Sequence, residues 1–175
     1  MSVFCILFFS CSENRKKIEE SLDNMKNRNV VIPFDKLVCY GNTSDDTIYS
    51  SQYRLIVYSD TNECSFCNVK NTLYWESLLD SVNDKKSDTK MDIIFIYSPS
   101  KEEKERFLAN IKMVKLKWPV YVDTCSYFTV ANPYIPNNSM FHTFLVNEEN
   151  RIMLVGNPLY NEKVERMILK VIKEL

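Results

Sequence analysis

The chain has 175 residues, of which 45% are hydrophobic and 26% are charged, enough for one core of ordinary size. Its 22 basic and 23 acidic residues give a formal net charge of -1, which excludes a field that would gather nucleic acid. Only two glycines, Gly41 and Gly156, are present, which excludes the glycine-rich phosphate loops of nucleotide-binding enzymes.

The first eleven residues, MSVFCILFFSC, form an apolar run that ends at Cys11 and precedes a charged stretch. The run is too short to span a bilayer as a helix, which takes about 20 residues. A short apolar segment that ends in a small residue, here Ser10, before a cysteine is typical of a bacterial lipoprotein signal. Residues 1–11 are therefore predicted to be signal-like, with Cys11 as the lipidation site and a lipid-anchored location at the bacterial envelope, facing the periplasm or the exterior. The alternative is an apolar N-terminus that is disordered or inserted into a core.

Residues 12–29 are almost all polar, and only Ile18, Leu22 and Met25 recur at helical spacing. This pattern predicts a polar tether or a marginal helix before a domain over residues 30–175. That domain opens with NVVIPFDKLVCYG, which reads as short strand material broken by Pro33. We expect it to lie beside the sheet as an edge strand or hairpin.

The body then alternates strands and helices. YRLIVYS, MDIIFIYSP and WPVYVD predict buried strands, and HTFLVNEENRIMLVG predicts two strands joined by a tight polar turn. Apolar residues at three- and four-residue spacings predict a helix after each of the first two strands and another at the C-terminus. Ser100 and Glu103 fit a capping box at the start of the second helix. This order of elements predicts an α/β fold, a three-layer α/β/α sandwich.

Two cysteines three residues apart, Cys64 and Cys67, follow the first buried strand at the start of its helix. The positive end of a helix dipole favours a thiolate at the first position, and a second thiol one turn on can attack a mixed disulfide formed by the first. A CxxC pair between a strand and a helix is the spacing of thioredoxin-like redox motifs.

The chain from about residue 29 onward resembles the thioredoxin-like superfamily, and most closely its membrane-tethered thiol-disulfide oxidoreductases of the bacterial envelope. The resemblance rests on YRLIVYSDTNECSFCNVKNTLYWESLL, MDIIFIYS, WPVYVD and MFHTFLVNEENRIMLVGNP. It implies a thioredoxin-like fold, with Cys64 as the attacking thiol and Cys67 as the resolver. His142 stands where the family has a cis-proline, and Glu63 where it usually has tryptophan. Because a non-proline cis bond costs about 3 kcal/mol, a trans bond is expected at His142.

His142 is the only histidine and aligns opposite the dithiol. Its imidazole could shuttle protons or favour a thiolate, and we include it with Cys64 and Cys67 among the candidate catalytic residues. The alternative is a partly exposed loop histidine without a role.

Three other functions remain open at this point. A closed zinc site would need two ligands besides the pair, which Cys39, Cys125 and His142 could in principle supply, although none of them is paired at ligand spacing. Thr61, three residues before Cys64 in TNEC, resembles the threonine of peroxiredoxin-like proteins, but their upstream proline is missing. The third alternative is a binding or structural module of the same fold whose dithiol is a staple or is vestigial.

Cys39 and Cys125 are predicted to be small buried hydrophobes, and Tyr74 and Trp75 to be packing residues. The expected activity is thiol-disulfide exchange on protein or small-molecule disulfides, without a bound cofactor or metal. Expected partners are those substrates, a membrane redox partner and the lipid anchor. Nucleic acid is not expected, and the chain is expected to be a monomer.

Overall fold

Three largely apolar stretches of the chain, YRLIVYS, MDIIFIY and VYV, form the parallel strands of the sheet. The structure is a computed structural model, and it describes residues 7–41, 51–61, 74–82, 91–113 and 118–173. The described helices are α1 (Leu7–Met25), α2 (Trp75–Val82), α3 (Lys104–Met113), α4 (Tyr127–Ala131) and α5 (Glu162–Lys173). The described strands are β1 (Val38–Tyr40), β2 (Tyr53–Ser59), β3 (Met91–Tyr97), β4 (Val120–Val122), β5 (Thr143–Asn147) and β6 (Ile152–Val155).

The described strands make one mixed sheet in the order β1-β4-β3-β2-β5-β6. β2, β3 and β4 run parallel, β1 is antiparallel to β4, and β5 and β6 are antiparallel to their neighbours. The path from β2 to β3 to β4 moves in one direction across the sheet. Right-handed connections therefore place both crossover helices on the same face.

Two apolar clusters cover the two faces of this sheet. On one face α2, α3 and α5 contribute buried residues to a single core, among them Trp75, Phe107 and Ile168. On the other face Met25 of α1 and Phe128 of α4 pack on the sheet. The predicted three-layer α/β/α sandwich is confirmed, because apolar side chains on both faces of the central strands require a layer above and below.

The N-terminal residues cover the second face. The stretch predicted as a tether or a marginal helix lies within α1, and all three of its apolar residues at helical spacing, Ile18, Leu22 and Met25, pack against the core. Residues 28–37, named the strap, begin beside β6, where Asn29 forms an isolated bridge with Arg151. They lead to β1, which pairs with β4 at the opposite edge. The predicted strand or hairpin extension is thus a single edge strand that the strap carries across the sheet.

Helix α3 begins as its sequence indicates. The Ser100 hydroxyl accepts a hydrogen bond from the Glu103 backbone N–H at 3.3 Å, as the first half of a capping box requires. The Glu103 carboxylate pairs with Arg106 at 2.9 Å. Phe107 and Ile111 are buried, so the apolar stripe of this helix faces the core as predicted.

Candidate functional site

The parallel strands end together at one edge of the sheet, named the carboxyl edge. Ser59 ends β2 and Asp60 follows it, Ser98 follows β3 and Asp123 follows β4, and all four are buried. Backbone hydrogen bonds hold these ends side by side: Ser98 N–H donates to Ser59 O at 2.8 Å, and Asp123 N–H donates to Tyr97 O at 2.8 Å. Ligands of open α/β sheets bind outside this edge, which makes it the natural place for a site.

The predicted dithiol belongs to the segment that leaves this edge. Cys64 and Cys67 lie outside the described residues, as does Cys5. The description stops at Thr61, just beyond β2, and resumes at Tyr74, just before α2. The described chain runs from β2 to α2 to β3, and the predicted position of Cys64 at the start of a helix stays a prediction.

The two aromatic residues before and at the start of α2 differ in environment. Trp75 is buried, and its ring meets that of Phe95 edge-on with centroids 6.2 Å apart. Its predicted packing role is confirmed. Tyr74 is 68% exposed, so its predicted packing role is wrong. The residue lies just before the first residue of α2, Trp75, and does not share its burial.

His142 lies against the end of β2. Its backbone carbonyl accepts from Tyr58 N–H at 2.9 Å, and its own N–H donates to Ser139 O at 3.0 Å. No cis peptide bond occurs among the described residues, so the bond before His142 is trans, as expected. The residue is 2% exposed, which makes the alternative of a partly exposed loop histidine wrong.

The His142 ring has a defined donor. Its Nε2 lies 2.9 Å from the carbonyl oxygen of Pro136. Because a carbonyl oxygen can only accept, Nε2 carries the proton and donates it. The Tyr58 ring lies beside the imidazole, with centroids 5.0 Å apart at 58°. A catalytic role for His142 stays a prediction.

Asp123 organises the segment between β4 and β5. Its Oδ1 accepts from the backbone N–H groups of Cys125 and Tyr127, at 3.1 and 3.0 Å, and its Oδ2 accepts from Phe128 N–H at 2.8 Å. Ser126, at the N-cap of α4, makes no side-chain cap bond. The carboxylate thus satisfies the free N–H groups at the start of α4. Sequence reasoning missed Asp123, although an aspartate between a strand and a short aromatic-rich segment is a cap signal.

The remaining described cysteines differ from each other. Cys125 is an exposed free thiol, so its prediction as a buried hydrophobe is wrong: Asp123 turns inward at this bend and the next residues turn outward. The nearby Cys125 sulfur, chiefly through its negative charge, raises the pKa of Tyr127 above its ordinary value. Cys39 is half-buried and packs against the second core, in line with its prediction.

No group of three or more potential metal ligands occurs in the part of the chain that the structure describes. Cys39, Cys125 and His142 are therefore not gathered into a ligand cluster. The lipidation candidate Cys11 falls within α1, and its side chain lies outside the described residues. Among the described helices, none combines the length and apolar character that crossing a membrane requires.

Neither a protein-family model nor a curated protein matches the chain. Solved structures do match. Copper-bound yeast Sco1 has a TM-score of 0.54 at 15% identity, over 86% of this chain and 94% of that one. The thioredoxin domain of a thiol-disulfide oxidoreductase from Bacteroides vulgatus has a TM-score of 0.50 at 16% identity, over 85% and 98%. A thioredoxin-like protein from Bacteroides caccae has a TM-score of 0.49 at 14% identity over 93% of this chain, which spans 56% of that protein.

The chain has the thioredoxin-like fold, as the matches with a TM-score of 0.50 or more show. The resemblance found in the sequence is confirmed at the level of the fold. In this fold the carboxyl edge of the sheet, where the chain leaves β2, is the candidate site.

Proposed function

We propose that the protein is a thiol-disulfide oxidoreductase in which Cys64 attacks and Cys67 resolves. The observation that carries the proposal is the position of CSFC in the chain, directly after the central parallel strand of a thioredoxin-like fold. A chain of that fold already performs this class of reaction in Bacteroides vulgatus, by the description of that protein. Two thiols at this spacing are what the reaction needs.

In the proposed reaction the two cysteines are the only groups of the protein that are oxidised and reduced. The Cys64 thiolate attacks one sulfur of a substrate disulfide, forms a mixed disulfide and releases the other sulfur as a thiolate. The Cys67 thiolate then attacks Cys64, which releases the second substrate thiol and leaves the Cys64–Cys67 disulfide. Two electrons pass to the substrate, and an external dithiol returns them to the protein.

The carboxyl edge is within reach of the attacking thiol. Cys64 follows Asp60 by four residues. Since an extended chain spans about 3.5 Å per residue, Cys64 is at most about 14 Å from Asp60, the residue that follows β2. The described groups nearest to β2 on that edge are Ser98 and His142, which are bonded to Ser59 and Tyr58. This proximity supports the edge as the site of exchange.

The proposal includes the location and the partners. A lipid on Cys11 would hold the domain at the envelope, where disulfides persist and a membrane redox partner can supply or accept electrons. Residues 13–17 at the start of the described side chains are exposed, and two i,i+4 ion pairs, Arg15–Glu19 and Lys17–Glu13, lie on this part of α1. A polar helix is suited to joining an anchor to a domain. The substrates would be protein or small-molecule disulfides, met by a monomer.

The test is dithiol-driven reduction of insulin by the full chain carrying Cys11→Ser, which prevents lipidation. The parent should be active without added metal, and Cys64→Ser should abolish activity. Cys67→Ser should trap mixed disulfides, because the attacking thiol remains and its resolver is gone. Cys125→Ser is the matched control, since Cys125 is an exposed thiol after β4 and outside the pair. It should keep the parent rate.

Two parallel measurements separate the alternatives. Stoichiometric zinc in the purified protein would support the metal site, and hydrogen peroxide turnover that exceeds insulin reduction would support the peroxidase. An inactive parent with an intact fold would leave a binding or structural module. Activity that is indifferent to Cys64 would refute the assignment of the dithiol.

A further inference from the structure

The ring of His142 closes a loop immediately before β5. Its Nε2–H bond to Pro136 O joins residues six apart, and the 3-10 turn Ser139–Phe141 lies between them. The Asn138 side chain accepts from Met140 N–H at 3.1 Å within this loop. The loop, residues 136–142, is named the latch loop.

The other side of the ring is held by aromatic packing. Tyr58, the next-to-last residue of β2, contacts both the His142 imidazole at 5.0 Å and the Phe128 ring at 4.8 Å, measured between centroids. Phe128 N–H donates to the buried Asp123 carboxylate. The ring of His142 thus connects the latch loop to β2 and to α4 through packed, buried groups.

The latch loop contains no Lys, Arg, Asp or Glu. From Thr124 to Asn147 the sequence contains neither Lys, Arg, Asp nor Glu, although charged residues make up 26% of the chain. Ion pairs therefore cannot fix this loop from within. Its shape depends on hydrogen bonds and packing, of which the Pro136–His142 bond is one that spans the loop.

We propose that His142 is a positioning residue: its Nε2–H bond to Pro136 holds the latch loop at the carboxyl edge, where the loop forms one wall of the substrate site. A proton shuttle must exchange protons with a reacting group or with solvent. The Nε2–H of His142 is bonded to a backbone carbonyl, in a residue that is 2% exposed, so this nitrogen is the donor that holds the loop. The inference rests on the proposed function only in calling the edge a substrate site.

The experiment compares His142→Gln with His142→Leu in the full chain carrying Cys11→Ser. Glutamine reaches about as far as the imidazole and keeps an N–H donor, but it does not titrate near neutral pH. Leucine keeps the volume and removes the donor. Asn137→Ala, an exposed position in the same loop, is the control for loop protection only, and Met113→Ala, an exposed side chain at the end of α3 and outside the loop, is the control for activity.

With insulin as the substrate, His142→Leu should raise KM by about two- to tenfold, the effect of one lost neutral hydrogen bond, with kcat little changed. His142→Gln should stay close to the parent. The pH dependence of Cys64 alkylation should be the same in the parent, His142→Gln and His142→Leu. A His142→Gln variant as slow as His142→Leu, with a limb of the parent's pH–rate profile missing from its own, would show a proton shuttle and overturn the proposal.

Amide hydrogen exchange gives a readout that does not depend on activity. In His142→Leu the amides of residues 137–142 should exchange faster than in the parent, while β2 and β3 stay protected. His142→Gln and Asn137→Ala should leave the loop protected. An unchanged loop in His142→Leu would refute the latch even if the protein reduces insulin, and a loosened loop would support it even if insulin reduction fails.

Discussion

Replacement of Asn132 should show how the N-terminal strap is held to the fold. Asn132 is 1% exposed, and its amide uses all of its hydrogen-bonding groups. Nδ2 donates to Val31 O and Phe128 O, both at 2.8 Å. Oδ1 accepts from Val31 N–H at 2.9 Å, and at 3.1 Å it shares the single Tyr134 hydroxyl proton with Asn29 O, which lies 2.9 Å from the same hydroxyl. Both backbone groups of Val31 are therefore tied to one buried side chain.

The cost of Asn132→Ala follows from the partners it leaves behind. Phe128 O still accepts from the Asn132 backbone N–H at 3.1 Å, and Tyr134 OH still donates to Asn29 O at 2.9 Å. The Val31 N–H and C=O groups lose their partners. At about 1 kcal/mol or more for each part-buried group, the free energy of unfolding should fall by about 2–3 kcal/mol.

Asn132→Asp tests the donors separately. The new carboxyl places an oxygen against the Val31 and Phe128 carbonyls, where Nδ2 donated, so at pH 7 the cost should exceed that of alanine. Burial and these carbonyls favour the protonated form and raise the pKa of the new carboxyl in the fold. Below the unfolded pKa of about 3.9 the carboxyl is neutral in both the folded and the unfolded chain, so the variant does not bear the cost of burying a charge. This stability of the variant is lost as the pH rises through the folded pKa, where the buried carboxyl ionises.

The assay is urea unfolding followed by far-UV circular dichroism at pH 7 and at pH 4, with Asn137→Ala as the exposed control. The control should change the free energy of unfolding by less than about 0.5 kcal/mol. The gap between Asn132→Asp and Asn132→Ala should narrow at pH 4. A loss below about 0.5 kcal/mol for Asn132→Ala would refute the argument, since a buried amide with four partners cannot be that dispensable.

Two further outcomes follow from local geometry. Gly156 has φ +140°, and a Cβ there would lie 2.9 Å from Val164 Cγ2, so Gly156→Ala should lower the free energy of unfolding by about 1–3 kcal/mol. Adding Val164→Ala should remove the steric clash and recover only that part of the loss. Full recovery of the free energy of unfolding would contradict a contribution from backbone strain. Burial, partly offset by Arg28, raises the pKa of Tyr134 to about 12 from 10.0. The parent should therefore lose stability from pH 10 to pH 12 relative to Tyr134→Phe, because the unfolded chain ionises first. Urea unfolding that gives the two proteins the same dependence of the free energy of unfolding on pH would contradict this.

The candidate site could be located from the sequence only in part. The strand that precedes Cys64 and the helix that follows it are local features, and the position of CSFC between them needs no tertiary information. His142 could be placed near the end of β2 by resemblance, and Tyr58 N–H does bond to its carbonyl. Its burial and its donor bond to Pro136 could not be read, because they depend on how the loop packs on Tyr58 and Phe128.

The order of the elements and the layers could be predicted from the sequence, because hydrophobic periodicity is a local property of the chain. Apart from Arg54 and Ser59 in β2 and Asp92 in β3, these two strands are apolar and are largely buried on both faces, and α5 turns Ile168 and Ile172 to the core. The exposure of Cys125, the capping of α4 by Asp123 and the attachment of the strap by Asn132 depend instead on packing between segments. The bonds of Asn132 to Val31 join residues 101 apart, and the periodicity of either segment carries no information about a partner so distant in the chain.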